Sequence, residues 1–414
     1  MTVAMEEPKL DIERHIKYWQ RCLKTLLPTQ YTSTDSNRMM LGFFILSALD
    51  LLGTGADTFP EKDRRNIRDW ILKCQHPNGG FCGSPNHRFP DAYYVDVGHG
   101  RQQMDPANLP ATFFAILSLS FVGTLEQVRR DDCLKWLKTL QRDDGSFGEL
   151  VTQDGAIEGG RDMRYCYIAA GVRWMLKGDT PPIGEDREGD IDLEKLVDHV
   201  RSGQTYDGGI SESFQHEPHA GYTCCAISTL SIIHRLPISS LSGAEAPGLT
   251  NIPETIRWLV SRQVGYTEEG EEDEAETKTP ARPVLQGVYE NEPLVPGLSL
   301  QDVDFVGFNG RCNKSVDTCY AYWVTASLDM LGQDRAQLLN IKAARRFLLE
   351  QTQHRIGGFG KAPGNPPDIY HSYLGLAALA IMKEPGLKPF DSALCVGAQQ
   401  KEMMELLREA ALSR

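Results

Sequence analysis

The chain has 414 residues, 43 Lys and Arg against 56 Asp and Glu, a formal net charge of −13 and a 41% hydrophobic share. That share supports a full core and excludes global disorder, and the acidic balance excludes general nucleic-acid binding, which needs excess Lys and Arg to neutralise phosphate. No apolar run reaches the roughly 18 residues of a membrane span, Met1–Lys9 lacks a signal-peptide core, and ten scattered cysteines point to reduced thiols in the cytoplasm.

Ile12 to Leu27 shows helical apolar spacing (Ile16, Trp19, Cys22, Leu23, Leu26) and is ended by Pro28. A second apolar helix runs from about Arg38 to Leu52. Helical stretches recur at roughly 61–74, 110–123, 131–141, 161–177, 192–202, 220–235, 253–263, 316–331, 341–352, 370–382 and 398–412. Strand alternation is hard to find. Glycine turns punctuate the helices in related form: Gly79-Gly80-Phe81, Gly145-Ser146-Phe147, Gly208-Gly209-Ile210, Gly307-Phe308 and Gly357-Gly358-Phe359. Most follow a glutamine near a helix end, at Gln75, Gln141, Gln204 and Gln353. A period of about 50–65 residues predicts a repeated helix pair, each pair burying its apolar face against its neighbours. The chain is therefore expected to be all-α. The periodicity fits an open solenoid and a closed ring equally well.

One spacing breaks the period. About forty extra residues lie between Gln263 and Gly307, with Glu268, Glu269, Glu271, Glu272, Asp273, Glu274 and Glu276 followed by Pro280, Pro283, Pro293 and Pro296. Acidic, proline-rich composition buries too little surface to offset the entropy of ordering. The expectation is a mobile surface insertion at about 266–300, with an acidic partner-docking arm as its functional reading. Glu185 to Asp192 is a smaller acidic loop of the same kind. The last residues, Ala411-Leu412-Ser413-Arg414, carry no lipidation box.

The chemistry concentrates in Gly307 to Trp323. Helical spacing from Val316 onward places Asp317 and Cys319 in a first turn, about 200° apart on an ideal helix. They share a metal only if the helix start is loosened or a carboxylate oxygen reaches round. The plain alternative is a capping Asp and a buried Cys. His371 opens a later helix, where a capping or solvent-facing role is the plain reading. Arg311 and Lys314, taken alone, read as a solvated pair.

Phe308-Asn309-Gly310-Arg311-x-Asn313-Lys314-x-x-Asp317-x-Cys319-Tyr320-x-x-Trp323 is similar to the signature of the protein prenyltransferase β subunits, and the resemblance runs from about Leu10 to about Met382. It implies a single domain over 1–414, an α/α barrel (toroid) with a central cavity. It implies zinc at Asp317, Cys319 and His371, a three-ligand set whose open fourth position marks a catalytic rather than a structural site. A substrate cysteine bound there loses its proton and becomes a nucleophile. Glu217-Pro218-His219-Ala220-Gly221-Tyr222-Thr223-Cys224-Cys225 resembles the family's E-x-H-G-G-x-T-x-C box, with Ala220 in place of a glycine. His219, Arg311, Lys314 and Tyr320 match the residues that hold an isoprenoid diphosphate, where donors and charges offset the negative charge growing on the leaving group. Tyr167, Tyr222, Cys225 and Trp323 match isoprenoid-pocket positions, and Arg164 an arginine near the isoprenoid and peptide.

Two positions separate branches of the family. Lys361 matches a lysine of the type I geranylgeranyl branch whose ammonium replaces Mg²⁺, where the farnesyl branch has an aspartate. Met40 matches neither the bulky tryptophan of the farnesyl branch nor the small threonine of the geranylgeranyl one. Tyr222 is closer to the farnesyl branch, whereas Arg21-Cys22-Leu23, Ser36-Asn37-Arg38 and Asp162-Met163-Arg164 are closer to the type I branch. The resemblance thus implies a geranylgeranyl-transferring catalytic β subunit that is zinc-dependent, Mg²⁺-independent and paired with an α subunit. Its substrates would be geranylgeranyl diphosphate and proteins, such as small GTPases, with a C-terminal CaaX box ending in Leu. A farnesyl-transferring β subunit is the alternative within the family. A terpene cyclase would need a DDxxD box, which the chain lacks. A non-catalytic helical-repeat scaffold is the alternative from another class.

Overall fold

The computed structural model describes residues 7–94, 105–179, 189–236, 248–266, 303–332 and 335–412. The expected insertion beyond Tyr266, residues 185–188 of the smaller acidic loop, and both chain ends fall outside these residues.

Two kinds of helix alternate. Helices α1 (Ile12–Lys24), α3 (Glu61–Lys73), α5 (Arg130–Thr139), α7 (Leu193–Ser202), α9 (Ile252–Val260) and α11 (Ile341–Arg346, continued by a π turn at Phe347–Thr352) are one-sided. In α1, His15, Tyr18 and Trp19 are buried, whereas Glu13, Lys17 and Arg21 belong to the wet face. Helices α2 (Arg38–Leu51), α4 (Leu109–Phe121), α6 (Met163–Met175), α8 (Ala220–Ile232), α10 (Thr318–Leu331) and α12 (Ile369–Ile381) are apolar nearly all round and nearly all buried, the pattern of helices packed on every side. A last helix, α13 (Ala398–Leu412), follows.

The six buried helices touch in sequence, α2 to α4, α6, α8, α10 and α12, and α12 returns to α2. The inner ring is closed, which the periodicity left open. Each inner helix after α2 starts from a side-chain cap: Asn108, Asp162, His219, Asp317 and Asp368, each accepting a bond from an otherwise unpaired backbone N–H.

The repeated glutamines explain the period. Each bridges the aromatic or aliphatic residue after its glycine turn, as in Gln75 with Phe81, Gln141 with Phe147, Gln204 with Ile210 and Gln353 with Phe359. Each carboxamide also holds the start of the next outer helix: Gln75 takes the Arg129 N–H, Gln141 the Asp192 N–H and Gln204 the Thr250 N–H. Gln353 closes the circle by accepting from Asp11 N at 3.1 Å, 342 residues earlier in sequence, with His15 Nε2 also at 3.1 Å. The glycines let backbones meet. A Cβ on Gly145 (φ +83) would lie 1.9 Å from the Lys195 carbonyl oxygen, and one on Gly357 (φ +88) 2.4 Å from that of Arg14.

Among the described residues three short antiparallel strand pairs, absent from the sequence reading, complete the fold: β1 (Leu150–Val151) with β2 (Ile157–Glu158), β3 (Gln263–Tyr266) with β4 (Phe305–Phe308), and β5 (Phe390–Asp391) with β6 (Val396–Gly397). Strands of two to four residues are too short to show alternation. The β3–β4 pair is the fourth repeat's glutamine bridge, Gln263 to Phe308, and the extra residues lie inside it. The β5–β6 hairpin and α13 cover the C-terminal ends of the inner helices: Lys388 N donates to Leu51 O, Ser392 Oγ to Asp329, and Gln400 reaches Ser120. The capped N-terminal ends form the opposite rim.

Candidate active site

Asp317 is not inside α10, as its spacing implied, but is its N-cap, with extended backbone at φ −150°, ψ 136°. Its carboxylate therefore turns back over the helix start and accepts from Cys319 N at 2.8 Å. The helix begins two residues later than the spacing from Val316 implied, and the 200° separation disappears. Thr318 anchors this start on the last glycine turn, donating from N to Lys361 O at 2.9 Å and from Oγ1 to Gly360 O at 2.7 Å.

His371 stands in the first turn of α12, next to α10. Its Nε2 lies 3.2 Å from Asp317 Oδ1 and its Nδ1 lies 2.6 Å from Asp368 Oδ2. The ligand atoms of Asp317, Cys319 and His371 all lie within 4.8 Å of one another. Burial works against the charge on His371, but the two carboxylates outweigh it and lift the imidazole to about 9. Burial likewise acts to raise the Asp317 carboxyl, yet hydrogen bonds from His371 and Cys319 hold it below its usual range. The Cys319 thiol is pushed up by burial and by the Asp317 carboxylate. A carboxylate, a thiol and an imidazole are thus gathered in a partly buried corner, where a bound cation would favour the deprotonated sulfur and the neutral ring. The donors, one O, one S and one N, are those of zinc, and three of them leave a fourth position for another ligand.

The sequence reading missed Asp368. It caps α12 by accepting from His371 N at 2.9 Å while its other oxygen faces Nδ1. That contact directs Nε2 toward Asp317, the way carboxylates orient metal-binding imidazoles. A helix-capping Asp three residues before a candidate ligand was the available signal.

Beside this corner, His219 caps α8. Its Nδ1 accepts from Gly221 N at 3.0 Å, so its Nε2 carries the proton toward Tyr320 Oη, 3.1 Å away. Burial, then the nearby Arg311 guanidinium, lowers His219 to about 4, leaving it neutral near pH 7. Burial raises Tyr320 to about 12, leaving its hydroxyl proton available to a further acceptor. Ala220, the departure from the family box, is the first residue of α8 and donates from its N–H to Gly310 O at 2.9 Å.

Arg311 pairs with Glu217 at 3.0 Å, both half-exposed. Such a pair is weak and yields readily to a better anion. Lys314 is exposed on the same turn, which Asn309 supports through Nδ2 to Lys314 O at 3.2 Å. The Lys361 ammonium lies 3.9 Å from Asp317 Oδ2, at the edge of the Asp-Cys-His corner.

The expected pocket residues lie on the inner helices. Tyr167, Tyr222 and Trp323 keep partial exposure on helices otherwise buried, so their free faces turn into the ring. Tyr370, which the sequence reading did not single out, keeps 37% exposure while its ring contacts Phe44 at 6.2 Å and His371 at 5.1 Å. Tyr167 meets Phe113 edge-on at 5.3 Å. Arg164 is held by Asp162 at 2.8 Å and lies 5.8 Å from the Tyr222 ring centroid. Cys225 is buried on α8. Met40 is part-buried one turn before Phe44 on α2, across the ring from the His219 cluster in helix order.

Residues 10–396 match the prenyltransferase alpha-alpha toroid domain. The chain belongs to that family. It is 30% identical over 389 residues to the geranylgeranyl transferase type-1 subunit beta of Arabidopsis thaliana, covering 91% of this chain and 86% of the relative. It is 26% identical over 397 residues to the protein farnesyltransferase subunit beta of Pyricularia oryzae, covering 90% of this chain and 63% of the relative. Among solved structures it resembles Candida albicans protein geranylgeranyltransferase-I complexed with GGPP, with a TM-score of 0.73, 27% identity and coverage of 96% and 98%. The α/α toroid and the likeness to prenyltransferase β subunits of the type I geranylgeranyl branch are thereby established. Among the described residues no helix is long and apolar enough to cross a membrane.

Proposed function

We propose that this prenyltransferase chain is the catalytic β subunit of a type I protein geranylgeranyltransferase. It would move geranylgeranyl from its diphosphate to the cysteine of a C-terminal CaaX box, often one ending in Leu, in substrates such as small GTPases. The observation that carries the reading is the convergence of Asp317, Cys319 and His371 beside His219, Tyr320 and Arg311 on one rim. In this reading the first three hold zinc, which when bound supplies a substrate thiolate at neutral pH. Asp368 keeps His371 turned toward the ion. His219 Nε2–H orders Tyr320, and Tyr320, Arg311 and Lys314 receive the diphosphate as its charge grows. Arg311 leaves Glu217 to do so. Lys361 stands between the anions, supplying a positive charge in place of Mg²⁺. The aromatic faces of Tyr167, Tyr222, Trp323 and Tyr370 receive the isoprenoid, with Cys225 and Met40 along the wall and Arg164 at the peptide side.

The chain would act with an α subunit, as a single domain, in the cytosol, where its ten free cysteines stay reduced. Farnesyl transfer is the second reading, favoured by the farnesyltransferase relative and by Tyr222. Co-expression with candidate α subunits, followed by paired assays with both lipid diphosphates and CaaX peptides ending in Leu or Met, decides. Preference for geranylgeranyl diphosphate without added Mg²⁺ is expected. Farnesyl preference or strong Mg²⁺ stimulation would overturn the lipid assignment, and a chain with no bound zinc and no transfer of either lipid would leave a scaffold.

A further inference from the structure

On the outer side of the Gly310–Ser315 turn lies a cavity of about 530 Å³, lined by Gln204, Tyr206, Phe214, Glu217, Trp258 and Cys312 among others. Cys312 is the exposed one of the ten cysteines; Cys22 and Cys395 are part-buried and the rest are buried. Beneath it sits Arg262, only 2% exposed. The Arg262 guanidinium stacks on Trp258, 4.6 Å from the ring centroid, and its Nη2 donates to Cys312 Sγ at 3.2 Å and to Ser261 Oγ at 3.0 Å. Its Nε and Nη1, and Trp258 Nε1, meet no acceptor among the described residues. No carboxylate pairs with Arg262 among those residues either. A buried charge with idle donors is costly, and here the same guanidinium already donates through Nη2 to a solvent-reachable sulfur.

An oxygen added to that sulfur is the acceptor this arrangement lacks. We propose that Cys312 is a site of reversible oxidation to a sulfenic acid by a hydroperoxide, with the Arg262 guanidinium holding the new oxygen. The sulfur attacks one peroxide oxygen, the O–O bond breaks, an S–O bond forms, and the thiol proton leaves with the second oxygen as water: Cys–SH + H₂O₂ gives Cys–SOH + H₂O. Sulfur loses two electrons and the peroxide gains them. Two equivalents of a small thiol reverse it, giving Cys–SH, a disulfide and water. Cys312 directly follows Arg311 and precedes Asn313, which is already at φ +59°. An oxygen placed between the sulfur and the Arg262 guanidinium, now 3.2 Å apart, pushes this loop outward and moves Arg311 and Lys314, so oxidation weakens diphosphate binding. That consequence, though not the oxidation itself, rests on the proposed function.

The test treats the full chain with hydrogen peroxide, traps sulfenic acid with a dimedone-type reagent and reads each cysteine by peptide mass spectrometry. Cys312 is expected to label at least about tenfold faster than Cys22 or Cys395. Arg262→Gln, with folding checked by its melting temperature, is expected to slow Cys312 labelling about tenfold while leaving its alkylation by neutral iodoacetamide within about twofold. Labelling of Cys312 no faster than Cys22 in the unaltered chain overturns the site without any variant. An unchanged rate in folded Arg262→Gln overturns the role of the guanidinium. Geranylgeranyl diphosphate binding that weakens on oxidation in the unaltered chain but not in Cys312→Ser supports the coupling, and equal binding before and after refutes it. Because the trap reads sulfur alone, its outcome stands apart from any failure of the transferase reading.

Discussion

Asp368 does two jobs that one substitution separates. One oxygen caps α12 through His371 N and the other faces His371 Nδ1 at 2.6 Å. Asparagine caps a helix as well as aspartate, so Asp368→Asn keeps the helix start and removes the charge that orients the imidazole. Loss of such an outer partner lowers metal affinity about 10- to 100-fold, or about 1.4–2.8 kcal/mol. Asp368→Ala loses the cap as well and should cost a further ~1 kcal/mol of fold stability. Competition of the purified protein against a chromophoric zinc chelator measures the first quantity and chemical unfolding of the zinc-free protein the second. Asp368→Asn that binds zinc as tightly as the unaltered chain would show that Asp368 is only a cap and that the packing of α12 against α10 aims His371 unaided.

Gly310 lies under Tyr320, where a Cβ would come within 2.2 Å of the ring. Gly310→Ala should therefore part Tyr320 from His219 and raise the dissociation constant for geranylgeranyl diphosphate at least tenfold, about 1.4 kcal/mol, in a fluorescence titration; unchanged affinity would remove Tyr320 from the diphosphate site. Gln353→Ala opens the contact that joins the last repeat to the first and should destabilise the fold by about 1–3 kcal/mol in urea unfolding, with a value near zero showing that helix packing alone holds the ring. His15 is fully buried and its folded pKa is lowered to about 4, chiefly by burial. Its neutral form belongs to the fold, so this contribution is complete above pH 6.5 and is lost as pH falls toward 4, by up to about 3 kcal/mol. His15→Gln should flatten the stability profile in that window, and an unchanged slope would assign the acid sensitivity elsewhere.

The helices were legible because two kinds of pattern mark them: one-sided spacing as in α1 and continuous apolar runs as in α2 and α4. The Asp-Cys-His set was legible only through the family signature. Helical spacing put Asp317 in the first turn, away from Cys319, whereas the plain alternative of a capping Asp and a buried Cys matches the local structure without revealing that the cap turns the carboxylate toward His371. Ring closure was illegible for another reason. Gln353 looks like every other repeat glutamine, and nothing near it in sequence says that its partner is Asp11. The short strands were hidden by their length, and Asp368 by the ordinariness of a capping aspartate.

That meeting of Gln353 with Asp11 has a consequence for biosynthesis. The hoop is fastened by its two extremities, so a growing chain exposes one greasy flank of α2 from early in translation until α12 has emerged to cover it. Contacts of such long sequence separation form slowly and leave sticky intermediates. Synthesis of this chain would then call on chaperones until α12 closes against α2.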